Sequence, residues 1–171
     1  MGAYEPLASF TRRDLRGWRG LASDTRLDDV ARLATVDSDF AGAGKLGSLF
    51  EPAEWVTATL DGFPWGIRIW CRHERVVLLD AEGARPAGDL DALLAELGPP
   101  VARWDAWLGS VRVAGSEWVY PDRGLTLYAI PGAGTVDRIL AYAATTIDGY
   151  ARTLRPHTET HLLPEPGGDR R

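Results

Sequence analysis

The chain has 171 residues, 45% of them hydrophobic and 25% charged, with a formal net charge of −5. That length suits one compact domain or two small repeats sharing a core, and the apolar content excludes a disordered body. The negative balance argues against nucleic acid as a partner, which needs a basic footprint, and no apolar run approaches the ~20 residues of a membrane helix.

In chain order, "SFTRRDLRGWRGLA" predicts an N-terminal helix capped by Ser9 or Thr11, with Leu15, Trp18 and Ala22 as its apolar side. Arg12, Arg16 and Arg19 share another side and read as a solvated face. Thr25 then opens a helix through Leu27, Val30 and Leu33, with Asp28 and Asp29 in its first turn. The Gly- and Asp-rich "VDSDFAGAGKLGS" predicts a loop. Three strands follow: "WVTATL", "WGIRIWC" and "RVVLLD", the first two joined by an Asp61-Gly62 turn. Asp89 caps a helix through Leu97 that stops at "GPP". "SVRVAGSEWVY", with a bulge at Ala114-Gly115, "LTLYAI" and "VDRILAY" form a second set of three strands, the last two joined at "PGAG". "TTIDGYARTLR" predicts a C-terminal helix with Ile147, Tyr150 and Leu154 on one stripe, and "PEPGGDRR" has no periodicity.

The two sets echo each other. "LDDVARL" precedes "LDALLAEL" by 63 residues, Trp55-Val56 precedes Trp118-Val119 by 63, the two Leu-Gly-Ser triplets lie 62 apart, and Val76 precedes Val136 by 60. Ordered matches across a whole unit point to duplication. The expected fold is therefore α+β: two tandem helix-plus-antiparallel-meander repeats (25–87 and 88–143) forming one curved sheet with helices on one face. A helical extension (1–24) and a C-terminal helix and tail (144–171) flank them.

Strand alternation sorts side chains onto two faces. With the aliphatic sides beneath the helices, the other side carries Trp55, Arg68, Trp70, Arg112, Trp118, Tyr120 and Tyr128. A water-facing sheet normally shows Lys, Glu and Thr, whereas Trp, Tyr and Arg are enriched where proteins grip partners. Two readings stand side by side: a second core, or a binding face.

Chemistry is sparse. Cys71 is the only cysteine and reads as a small core hydrophobe, which suits a reducing cytoplasm, and no disulfide can form within the chain. No apolar leader opens the sequence. His157 and His161 in "HTETH" have metal-ligand spacing but lack a partner cluster, so they read as tail, and His73 sits in a turn. Asp37 and Asp39 read as a capping loop, and "GAGKLGS" lacks the order of a phosphate-binding loop. No nucleophile–base arrangement, metal site or cofactor is expected.

Two tandem units, with the "LAELGPP" helix ending and "EWVYPDRGLTLYAI" followed by "VDRIL", resemble the β-lactamase-inhibitor-protein-like fold over about Thr25 to Tyr142. The resemblance implies a concave aromatic sheet face that binds another protein. The chain departs from that family in lacking its disulfides, signal peptide and lipobox, so no target is carried over. The expected function is a non-enzymatic binding protein of inhibitor, immunity or accessory type, holding a protein or peptide. The alternative is an enzyme or small-molecule binder with an aromatic pocket on the same sheet, and a third reading uses the face for self-association.

Overall fold

The computed structural model describes residues 2–108, 111–130 and 134–157. It is α+β. Helix α1 (Tyr4–Thr11) and the short α2 (Leu27–Ala31) precede strands β1 (Thr35–Leu46), β2 (Glu51–Thr59), β3 (Ile67–Arg72) and β4 (Arg75–Glu82). Helix α3 (Leu90–Leu97) precedes β5 (Ala102–Leu108), β6 (Val111–Tyr120), β7 (Leu125–Ile130) and β8 (Thr135–Ala141). The chain then makes a helical turn, α4 (Ile147–Gly149), continued by a π-turn over Tyr150–Leu154. All eight strands join one antiparallel sheet in the order β1-β2-β3-β4-β8-β7-β6-β5. Two meanders thus meet at the β4·β8 pair, and β1 and β5 are the outer edges.

Several expectations are corrected. Each meander has four strands, not three. The stretch predicted as a loop is β1, paired with β2 from Thr35↔Thr59 to Leu46↔Glu51 across a bulge between Asp37 and Ala41. Its Gly and Ala carry no strand propensity of their own, and cross-strand pairing overrides that. The N-terminal helix lies earlier than expected. Past α1 the chain turns irregular, with Arg13 at φ 58°, Gly17 at 72° and Gly20 at 100°. Leu15 and Trp18 are buried all the same and Ala22 partly so, which lets their spacing imitate a helix. Arg12, Arg16 and Arg19 are exposed, as a solvated side requires. Thr25 is not the cap of α2; it is buried, donates to the Ala22 carbonyl at 2.7 Å, and the Asp29 carboxylate instead accepts the Arg26 N–H at 2.9 Å. The cap of α3 agrees with the sequence: Asp89 Oδ1 accepts from the Asp91 N–H at 2.9 Å, and Gly98 (φ 71°) ends the helix. Residues 131–133 of the "PGAG" turn, Gly109 and Ser110 of the second Leu-Gly-Ser, and the tail from 158, with His161, lie outside the described residues.

The first face of the sheet packs under α1, α2, α3 and the 12–24 segment. Leu7, Phe10, Leu15, Trp18, Val30 and Leu93 meet Ala58, Ile67, Ile69, Leu79, Leu127 and Ile139 there. Cys71 lies in this core, as expected of a small hydrophobe, and burial with a nearby Glu54 pushes its thiol up to about 11. The second face is not left open. Tyr150 packs with Leu46, Ala53, Trp70, Leu78, Leu140 and Tyr142, and Ile147 and Leu154 flank it. The helices therefore occupy both sides.

This C-terminal cover is clamped by backbone. The Gly47, Ser48 and Leu49 N–H groups, in the β1–β2 turn, donate to the carbonyls of Arg155, Ala151 and Arg152 at 2.8, 3.0 and 3.1 Å. These contacts satisfy carbonyls that a helix end leaves free. Gly47 (φ 68°) allows the approach, since a Cβ there would lie 2.0 Å from the Arg152 carbonyl oxygen. His157 stacks on Phe50 at 4.8 Å and bonds the Gly47 carbonyl, so it belongs to this clamp. Among the described residues no helix is long and apolar enough to cross a membrane.

Gly47→Ala is expected to loosen the cover, raising amide exchange at 150–155 by at least tenfold. Gly88→Ala, with φ 78° but open space around its Cβ, carries only the backbone strain of about 1–2 kcal/mol and leaves those amides protected. Hydrogen-exchange mass spectrometry separates the two.

Candidate functional site

The register fixes the second face row by row. Trp55 sits opposite Trp70, and Thr57 opposite Arg68. Arg68 sits opposite Asp80 and Trp70 opposite Leu78. Glu82 sits opposite Arg138 and Asp80 opposite Leu140. Tyr128 sits opposite Arg138, Glu117 opposite Tyr128, and Trp104 opposite Glu117. Period-two alternation keeps each such pair on one side.

Of the seven residues expected on this face, Trp55, Arg68, Trp70 and Tyr128 lie there. Trp70 is sealed, at 4% exposure, under the C-terminal cover. Trp55, Arg68 and Tyr128 are half-buried. Trp118 and Tyr120 point the other way: Trp118 pairs with Leu127 and Tyr120 with Leu125, both on the helix-covered face. The Glu-Trp-Val echo is one residue out of phase with the strands. Trp55 faces Trp70 across β2·β3, but the residue facing Tyr128 across β6·β7 is Glu117, so Trp118 is turned to the opposite side. Arg112 lies on β6 opposite Trp107, and its side chain lies outside the described residues.

Three arginines lie over aromatic rings on the second face. Arg155 is 4.5 Å from the Trp104 ring centre and Arg138 4.9 Å from that of Tyr128. Arg68 is 4.9 Å from Trp55 and 5.9 Å from Trp70. Such stacks are worth about 0.5–2 kcal/mol, more as water is removed. The indoles spread over edge strand β1 because it offers glycine beneath them: a Cβ at Gly42 would lie 2.6 Å from the Trp55 ring, and one at Gly44 3.1 Å from Trp70.

Two carboxylates are buried among these groups. Asp80 accepts both a 2.8 Å bond from Arg138 Nε and a 2.7 Å bond from Arg138 Nη2, a bidentate fork. Burial alone would lower the Arg138 pKa; the charge of Asp80 and its hydrogen bonds outweigh that and hold it well above the ordinary value. Glu117 accepts from the Tyr150 hydroxyl at 2.6 Å and from Arg155 at 2.8 and 3.0 Å. Tyr142 donates to the Leu125 carbonyl at 3.1 Å and stacks 4.9 Å from Tyr150. Burial raises the phenols of Tyr128, Tyr142 and Tyr150 above their usual range. Asp80, Glu117, Arg138, Arg155 and Trp104 were missed by sequence reasoning. Arg138 was discoverable, since it alternates with Ile139 on a named strand, whereas Trp104 lay in a segment assigned no strand.

Beside Arg68 a cleft of about 80 Å³ is lined by Thr57, Trp65, Arg68, Asp80 and Glu82. Trp65, on the β2–β3 loop, is 76% exposed and rests on Gly83, where a Cβ would lie 3.2 Å from its ring. Nε of Arg68 is buried and has no hydrogen-bond partner among the described residues; the same holds for Trp70 Nε1, Trp118 Nε1 and the Tyr120 hydroxyl. Among the described residues no group of three His, Cys, Asp or Glu side chains could hold a metal.

Two predictions follow from these burials. Asp80→Asn leaves buried Arg138 with only the 3.9 Å approach of Glu82 and is expected to lower stability by about 3–5 kcal/mol, while the double change Asp80→Leu with Arg138→Met loses less; urea denaturation reads both. The Tyr120 phenol is raised from 10.0 to about 12 by burial. Above pH 10 the unfolded chain gives up this proton and the folded chain keeps it, so stability falls between pH 10 and 12, and Cys71 adds a similar loss from pH 9 upward. Tyr120→Phe is expected to keep stability at pH 7 within about 1 kcal/mol, since the hydroxyl bonds nothing among the described residues, and to reduce the alkaline loss; urea melts at pH 8, 10 and 11 check it. Comparison of the chain with protein-family models, with curated proteins and with solved structures finds no match.

Proposed function

We propose that the chain is a non-enzymatic binding protein, of inhibitor, immunity or accessory type, that holds a protein or peptide partner on the second sheet face. The binding surface is the corner of Trp55, Arg68 and Trp65, narrower than the full aromatic face expected from the sequence. The observation that carries this reading is that corner itself: the Trp65 indole is 76% exposed, and Arg68 lies beside it over the Trp55 ring. Aromatic and arginine side chains so placed are the usual anchors of protein interfaces. The adjoining cleft, at about 80 Å³, is far below the ~300–1,000 Å³ of small-molecule sites, which favours a partner's side chain over a free ligand.

Duplication belongs to the same proposal. Each half runs helix and then four strands, and the two Leu-Gly-Ser triplets begin at the ends of β1 and β5. This order supports a tandem repeat of the β-lactamase-inhibitor-like kind. A reducing cytoplasmic setting is also proposed, on the single buried Cys71.

The test is capture from an extract of the native cell with wild-type protein, followed by calorimetric titration of the captured partner. Trp65→Ala, at the exposed indole, is expected to weaken binding at least 30-fold, about 2 kcal/mol, with the melting temperature little changed. A partner bound equally well by this variant removes the corner as the binding surface. Trp70→Ala and Trp118→Ala are unsuited as probes, because both rings pack in the cores.

A further inference from the structure

The three arginine–aromatic stacks of the second face differ in one respect. Arg155 on Trp104 is completed by Glu117, and Arg138 on Tyr128 by Asp80. Arg68 on Trp55 and Trp70 makes no ion pair with a described residue, and its buried Nε bonds nothing among them. Asp80 lies directly across β3·β4 from Arg68, but the Arg138 fork takes both its oxygens. Glu82, the next acid on that side, approaches Arg138 at 3.9 Å and is otherwise exposed. A guanidinium carries five donors and no acceptor, and leaving one partly desolvated without an acceptor is unfavourable.

We infer that the Arg68 corner takes a carboxylate from outside the chain: the side chain of an aspartate or glutamate on a protein or peptide partner, inserted between Trp65 and the Thr57–Arg68 pair. This rests on the binding reading above and names the partner's anchor. The cleft's volume, about 80 Å³, is the share of two or three water molecules, enough for a carboxylate with its methylene. Asp80 and Glu82 in the lining repel a doubly charged phosphate more than a singly charged carboxylate. The two completed stacks show what geometry the third accommodates, a carboxylate in the plane of the guanidinium with a ring against its face.

The test uses the ¹⁵N-labelled full chain and observes the Arg68 Nε–Hε and the Trp55 and Trp65 indole N–H resonances. The probes are acetyl-Gly-Gly-Glu-Gly-Gly-amide, its Gln counterpart, and sodium acetate. The Glu peptide is expected to shift all three resonances at millimolar concentration, at least tenfold more tightly than the Gln peptide, with the effect suppressed in 1 M salt. Arg68→Lys is expected to weaken the Glu peptide about tenfold, since an ammonium cannot present a planar fork. Equal binding of the Gln peptide, or no response at Arg68, overturns the inference; acetate matching the Glu peptide reduces the corner to a bare anion site and overturns the peptide source. If the carboxylate fails while capture still depends on Trp65, the binding surface stands with a different anchor; if both fail, neither does.

Discussion

Four residue pairs between β4 and β8, from Leu79↔Ala141 to Glu82↔Arg138, turn two meanders into one sheet. Every feature of the second face depends on that seam. Across it Arg138 reaches from β8 to grip Asp80 on β4, with the Asp80 side chain only 2% exposed. A pair so buried contributes little net stability over an apolar one, but breaking it is costly, so it fixes which strands lie side by side. The seam also decides the charge pattern. By consuming Asp80 it strips Arg68 of its natural neighbour and leaves a stacked cation at the corner.

The covering of the sheet follows from composition. Apolar residues occupy both faces of β3 and β4, where Ile67, Ile69 and Leu79 serve one face and Trp70 and Leu78 the other. Such a sheet cannot leave either side in water without a large unfavourable exposure. The first side is roofed by helices that precede the strands. The second is roofed by the segment that follows them, held by Tyr150, by Arg155 on Glu117, and by the Gly47–Leu49 amides.

How much was legible can be judged residue by residue. Helix α3 was readable because Asp89 and Gly98 carry unambiguous end chemistry. Strands β2, β3, β4, β7 and β8 were readable from alternation of β-branched and aliphatic residues. Strand β1 was not, because "AGAG" has no side chains to alternate; its strand state comes from pairing and from the indoles laid across it. The C-terminal helix was legible, but its destination was not, since periodicity assigns a stripe and not the surface it meets. Trp55, Arg68, Trp70 and Tyr128 were sorted correctly. Trp118 and Tyr120 were not, because Val119 between them reads as the aliphatic, helix-covered side of β6, whereas it packs in the second core and turns both rings the other way. The corner itself required tertiary structure: nothing in the sequence says that Trp65, Arg68 and Asp80 line one cleft.

The strand order carries a kinetic meaning. Within each meander, neighbours in sequence are neighbours in space, so those hairpins close short loops and form early. The β4·β8 contact joins segments roughly 60 residues apart and closes by far the longest loop in the sheet. On a ribosome, the first meander emerges complete and waits, its inner margin unpaired, until the last strand of the second arrives to zip against it. The margin of β4 is therefore the surface most exposed to wrong pairing during synthesis.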